Sequence, residues 1–171
     1  METWNAIRSR RNVRAYEDRP LPPEHLDQIL EAGRRTPSAS NWQPWDFVVV
    51  AERQRLEELA KAWPQGGRHV AQSAATIALV GPTDAGDRAD WVGYDLGQAT
   101  MSIMLAAADL GIGAGHSAVR DHDLAGKLLG LPDDKRCYYL IALGYPADRP
   151  LRPIRNPNRR AFDDVVHHER W

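Results

Sequence analysis

The chain has 171 residues, 43 % of them hydrophobic and 26 % charged, with 22 basic side chains against 23 acidic ones. That length and balance fit one soluble globular domain, and near-neutral charge excludes nucleic acid and anionic membranes as default partners. No apolar run approaches the roughly 20 residues of a membrane span, and no basic n-region followed by an apolar h-region opens the chain, so a cytoplasmic protein without a secretory signal is expected.

Residues 2–9 read as a short helix, with Trp4 and Ile7, or Ile7 and the stem of Arg8, turned inward. RRNVRAYEDRPLPP is irregular, because Pro20, Pro22 and Pro23 forbid a long helix. Pro23 then opens PEHLDQILEAGRR, an amphipathic helix with Leu26, Ile29 and Leu30 on one face and Gly33 near its end. PSASNWQPWDFVVV, Pro37 to Val50, places small polar residues and two tryptophans at the mouth of the strand DFVVVA. ERQRLEELAKAW is a second amphipathic helix and ATIALVG a strand. RADWVGYDLGQATMSIMLAAADLG is the longest element; it is apolar nearly all round from Ala99 to Leu110 and is expected to be a buried central helix. HDLAGKLLGLP is a short helix with Asp121 as its N-cap and Pro132 as a stop. CYYLIALGYP is a strand, and its lone cysteine, Cys137, reads as a buried inert thiol. Residues 146–171 carry four prolines and read as an extended arm. No repeat or linker divides the chain. A single domain over 1–171 and an α+β class are expected, since helices and strands mix without regular alternation.

Two motifs mislead. GIGAGH at 111–116 has glycines like a dinucleotide loop, but its spacing is wrong and it follows a helix rather than a strand. Gly111 is better read as the left-handed residue past a helix end, and Gly113 and Gly115 as places where backbone amides approach a flat ligand. HSAVRDHD lacks both the ligand spacing of a metal site and the strand–turn–helix setting of a nucleophilic serine. No metal is expected.

The basic residues are 19 Arg and 3 Lys, with five Arg in residues 1–20 and six in 149–171. Both ends are locally basic while the whole is neutral, which suggests an anion site assembled from both termini. Arginine suits it, because its planar fork grips phosphate through paired hydrogen bonds.

RRNVRAY, PSASNWQPWDFVVV, DLGQATMSIMLAAADLGIGAG and GYPADRP with PNRRAFDDVVHHERW follow one another along the chain. Together they resemble the FMN-dependent nitroreductase family. The resemblance implies a central mixed or antiparallel sheet flanked by helices, a long buried central helix, and an intertwined homodimer whose two flavin sites are each built from both subunits, with arm 146–171 packing on the partner. Carried over by position, it implies that Arg10, Arg11, Asn12 and Arg14 contact FMN, with Arg10 and Arg14 on its phosphate, ribityl chain or pyrimidine carbonyls. Pro37, Ser38, Ala39 and Asn41 would be contacts given across the interface, and the loop His116, Ser117 and Ala118 would bring backbone amides to the N5 edge. Arg159, with Arg160 beside it, would complete the phosphate site. Departures are Asn12 for the usual Ser, Met101 and Ser102 for Gln and Asn, Pro157 for a frequent Lys, and the lack of the excursion that covers the flavin in longer members.

The implied activity is ping-pong transfer of two electrons, as hydride through flavin N5, from NAD(P)H to a small planar electron-poor acceptor such as a nitroaromatic, quinone or conjugated carbonyl. No side chain needs to act as acid or base, and His116 is the one titratable candidate near the acceptor. The rivals are a deazaflavin-dependent reductase or a dehalogenase on the same fold, and a non-enzymatic flavin carrier.

Overall fold

Hydrophobic alternation builds the sheet. The computed structural model describes residues 1–171 and holds four strands, β1 (Asp46–Val50), β2 (Ala75–Pro82), β3 (Gly113–Ala118) and β4 (Lys135–Gly144). They lie in the order β1-β2-β4-β3, every neighbouring pair antiparallel. β2 is buried along nearly its whole length, as a central strand covered on both faces must be. Its successive residues divide between two cores: Ile77 and Leu79 join Ile141 and Leu143 of β4 on one face, and Ala78 and Val80 join Leu140 and Ala142 on the other. Each Ile, Leu or Val among them contributes about 1.5–3 kcal/mol by leaving water.

Helices α1 (Thr3–Ser9), α2 (Pro23–Arg34) and α5 (Ala89–Asp109) complete the first face; α3 (Arg53–Ala60), the single turn α4 (Arg68–Ala71) and α6 (His122–Leu129) cover the second. α2 begins with its proline and buries Ile29 and Gly33. A Cβ on Gly33 would lie 2.9 Å from the Ile103 side chain, so the glycine lets α2 lie close on α5. α6 is capped as expected, with the Asp121 carboxylate accepting from Leu124 N at 2.9 Å and Gly130 left-handed at its end. Gly111 likewise has a positive φ of 73°.

Some expectations are corrected. In α1 the buried residues are Ala6 and Ser9, on the face toward the body of the chain, while Trp4 is 64 % exposed and Ile7 also faces out. α5 is the long central helix expected: between Ala99 and Leu110 only Met101 and Asp109 are exposed, while Trp91 and Tyr94 face out before that stretch. GAGHSA is the strand β3, not a loop. Its glycines make room for protein and not for a ligand: a Cβ on Gly113 would meet the Val13 side chain at 2.7 Å, and one on Gly115 would strike the Val13 carbonyl. Cys137 is buried as expected, and burial pushes its thiol up to about 12. No helix is long and apolar enough to cross a membrane.

Segment 10–17 runs between β3 and the start of the arm. Val13 N donates to the Ala114 carbonyl at 3.0 Å, Glu17 N to Tyr145 O at 2.8 Å, and Ala147 N to Ala15 O at 3.0 Å. The Tyr16 hydroxyl sits 2.8 Å from Val13 O and 3.0 Å from Ala142 O. Replacing Gly115 with Ala would push this segment off the sheet. Overpacking of this kind costs about 1–3 kcal/mol. A urea melt of Gly115→Ala should show that loss, and an unchanged midpoint would contradict the packing.

Candidate functional site

The clamp on segment 10–17 groups the basic residues of the N-terminal end. Arg10 and Arg14 are both close enough to His116 for their charges, after burial, to hold its imidazole below the ordinary histidine value. Arg14 acts in the same way on His69, which is buried at 4 % exposure. Arg14, His69 and His116 line one cleft of about 490 Å³, walled on its other side by the turn from Trp63 to Gln72. Three buried polar atoms of this region lack a hydrogen-bond partner: Arg10 Nε, Asn12 Oδ1 and His69 Nε2. Buried polar atoms are nearly always paired; His69 lines the cleft, Arg10 and Asn12 lie on the segment that carries Arg14 to it, and Ser9 Oγ and His25 Nδ1 are the other unpaired atoms.

Arg11 is engaged otherwise. Its guanidinium reaches Asp148 Oδ1 at 2.7 Å and the Arg149 carbonyl at 2.8 Å, tying the arm to segment 10–17 and holding the Asp148 carboxyl below the usual range. Ser117 is also engaged, buried within the sheet. The Ala114 carbonyl points away from β4 toward Val13, so alternation turns the N–H groups of His116 and Ala118 to that same edge and the N–H of Ser117 toward β4. Of the three residues expected to offer backbone amides, two are placed to do so.

Segment 37–43 has a different setting. Ala39 N donates to the carboxylate of the fully buried Asp95 at 3.1 and 3.3 Å, and Gln98 Nε2 donates to the same group at 3.2 Å. Gln43 N donates to Ser38 Oγ at 2.8 Å, while the Gln43 amide reaches the Asn41 carbonyl and Oδ1. Ser40, Asn41 and Gln43 all have positive φ, between 52° and 56°. Non-glycine residues adopt this conformation only where surroundings enforce it, at a cost of about 1–3 kcal/mol each. Asp95, Ser38 and the buried Trp45 are those surroundings. Pro37 and Asn41 face solvent, and no residue of 37–43 lines the Arg14–His116 cleft.

The second basic end touches the first only as far as Ile154. Ile154 N donates to Arg8 O at 3.0 Å; beyond it, the arm's hydrogen bonds are all to itself. Arg159 bonds the Asn158 carbonyl and Arg160 the Asp164 carbonyl, both exposed. One chain therefore brings together Arg10, Asn12, Arg14, His116 and Ala118, and leaves 37–41 and 159–160 outside that group. His69 and the Trp63–Gln72 turn were not legible as site residues. Their only signal is the Pro-Gln-Gly-Gly run that ends the amphipathic pattern just before Arg68-His69.

Comparison with known proteins agrees with the fold. The sequence profile described as "Nitroreductase family" matches residues 7–145. A protein of Archaeoglobus fulgidus with the provisional name NADH dehydrogenase/NAD(P)H nitroreductase is 33 % identical over 99 % of both chains. The FMN reductase [NAD(P)H] of Bacillus subtilis is 26 % identical over 98 % of this chain and 73 % of its own. A crystal structure from Parabacteroides distasonis, also provisionally named NADH dehydrogenase/NAD(P)H nitroreductase, superposes with a TM-score of 0.84 at 28 % identity, over 100 % of this chain and 99 % of that one.

The two neutral histidines give a pH dependence. In the unfolded chain each takes up a proton near about pH 6.5, whereas the folded protein resists it. The unfolded state therefore binds more protons as pH falls, and stability present above about pH 6.5 is lost on going below it. The urea midpoint should drop between about pH 7.5 and 5.5, and His69→Gln should flatten that slope. An identical slope in the variant would mean His69 is not held neutral.

Proposed function

The chain belongs to the nitroreductase family, and on that premise we propose that it is an FMN-dependent oxidoreductase that takes two electrons from NAD(P)H and gives them to a small planar, electron-poor acceptor. The observation that carries this reading is the set of unpartnered buried atoms, Arg10 Nε, Asn12 Oδ1 and His69 Nε2. A flavin mononucleotide fits them chemically: its phosphate and pyrimidine carbonyls accept from guanidinium and imidazole N–H groups, and its pyrimidine N–H donates to an amide oxygen. FMN when bound supplies the hydride chemistry that no side chain here can perform.

The chain's own residues bind and orient. Arg10 and Arg14 neutralise anionic oxygens, and each charge-assisted bond contributes roughly 1.5–3 kcal/mol. The edge amides of His116 and Ala118 present fixed dipoles to an electron-rich group without reorganising. Arg11 is a positioning residue, holding the arm against segment 10–17 through Asp148. The NAD(P)H and FMN in the name of the Bacillus subtilis relative support the same donor and cofactor here.

Within this reading the working unit is a homodimer with shared sites. Exposed, strained 37–43 is the surface that a partner's cofactor would meet, and apolar side chains crowd the outside of the single chain. Tyr94 is 70 % exposed, Phe162 69 % and Trp171 97 %, alongside Trp4 on α1. Arm residues beyond Ile154 hydrogen-bond only to one another, as suits a segment that packs on a second copy and carries Arg159 and Arg160 to the phosphate.

Arg10→Ala and Asn41→Ala test binding and sharing together. Each variant alone should bind FMN about tenfold to a hundredfold more weakly, the loss expected for a charge-assisted bond and somewhat less for the amide. Mixing the two variants and exchanging subunits should restore tight binding at one of the two sites of each hybrid dimer, roughly a quarter of all sites after random exchange at equal amounts. NADH or NADPH oxidation with a quinone should return in proportion. No recovery on mixing would mean that one chain supplies both residues, and unaltered affinity in Arg10→Ala would remove the phosphate assignment.

A further inference from the structure

The cleft beside Arg14 contains more than the proposed cofactor uses. Its lining includes two arginines, two histidines and two glutamines but no carboxylate, in a chain whose overall charge is −1. Arg14 and His116 belong to the cofactor set. Trp63, Gln65, Arg68 and Gln72 do not: Trp63 and Gln65 stand on the turn that links α3 to α4, Arg68 opens α4 and Gln72 follows it.

That turn is rigid. Gly66 N and Gly67 N both donate to the Trp63 carbonyl, at 3.1 and 2.7 Å, and Trp63 N donates to Ala60 O at 3.2 Å. A Cβ on Gly66 would lie 2.8 Å from three indole carbons of Trp63, so the ring lies directly over the glycine backbone. Gly67 is pressed against the Ala60 carbonyl, where no side chain fits. Trp63 is thereby held half-buried at the cleft wall. Arg68 differs from it in burial and bonding. It is exposed, with no hydrogen bond or ion pair, whereas Arg11, Arg34 and Arg35 each hold a carboxylate. Arg68, with Ala15 and Gln72, also borders a second depression holding Asp18, Glu57 and Arg53, so carboxylates first appear beyond Arg68.

We infer that this turn makes the cleft a specificity pocket for planar aromatic acceptors carrying an anionic substituent, with Trp63 as the stacking face and Arg68 as the anion contact. The inference rests on the FMN oxidoreductase reading and names the acceptor class for it. The cleft of about 490 Å³ is shared: Arg14, His69 and His116 face the cofactor, and the wall with Trp63 and Arg68 is left for one substituted ring beside it. Guanidinium beside an aromatic wall suits a ring bearing carboxylate, because the fork pairs both oxygens while the ring stacks.

The probes are 4-nitrobenzoate and its neutral counterpart 4-nitrobenzamide, titrated calorimetrically onto the FMN-loaded protein and then compared as acceptors. The benzoate should bind about tenfold more tightly than the amide, and its KM should be lower by a similar factor. Arg68→Gln should abolish that preference. Trp63→Leu should weaken both probes by a similar, roughly fivefold factor. Equal binding of the two probes to the wild type, or a preference that survives Arg68→Gln, overturns the assignment. So does a loss of FMN affinity in either variant as large as the loss for the probes, which would place these residues on the cofactor. If the wild type reduces no acceptor, the oxidoreductase reading fails, and the calorimetric preference still decides whether the pocket selects anions.

Discussion

Everything at the candidate site depends on one clamp: segment 10–17 held between the outer edge of β3 and the start of the C-terminal arm. The Val13 N to Ala114 O bond fixes its depth, and the bonds of Ala15 and Glu17 to residues 147 and 145 fix its direction. The segment can come that close because Gly113 and Gly115 leave no Cβ in its way. Held so, Arg10 and Arg14 come near His116 and Arg14 near His69, and Arg10 Nε, Asn12 Oδ1 and His69 Nε2 are buried without internal partners. The unsatisfied bonding has a cost, of about 1–3 kcal/mol per buried group, that a ligand would offset on binding. Charge works in the same direction, since clustered guanidinium groups repel one another until an anion arrives.

A second, smaller constraint shapes segment 37–43. Three consecutive-region positive φ angles need enforcement, and the buried carboxylate of Asp95 supplies it by accepting from Ala39 N. Asp95 lies on α5, which also packs on α2 and the sheet, so the strained segment is referenced to the same core as the clamp. The two halves of the proposed shared site are thus each rigid before they meet. Preorganisation of that kind lowers the cost of binding a flat, stiff cofactor.

The hydrophobic pattern made most of the architecture readable. The alternation in ATIALVG and CYYLIAL, the proline at the start of α2 and the Asp121 cap each led to the element found. β3 was not readable, because GAGHSA has almost no apolar side chains, and its strand character comes from pairing with β4 rather than from propensity. For the same reason its glycines looked like ligand contacts when they are contacts to Val13. Arg10, Asn12 and Arg14 were legible from the motif RRNVRAY, but the diversion of Arg11 to Asp148 was not, since that partner lies 137 residues away. His69 was hidden because a lone histidine after a glycine turn has no sequence signature. Only the fold brings it to Arg14.

The most direct test of the account is the visible spectrum of the purified protein, with identification of whatever pigment denaturation releases. The account predicts the two absorption bands of an oxidised flavin and release of FMN at about one per chain, since each chain supplies one clamped cluster of Arg10, Asn12 and Arg14. A colourless protein that takes up no added FMN would contradict it, and would mean that the unpartnered atoms around the cleft await some other anion.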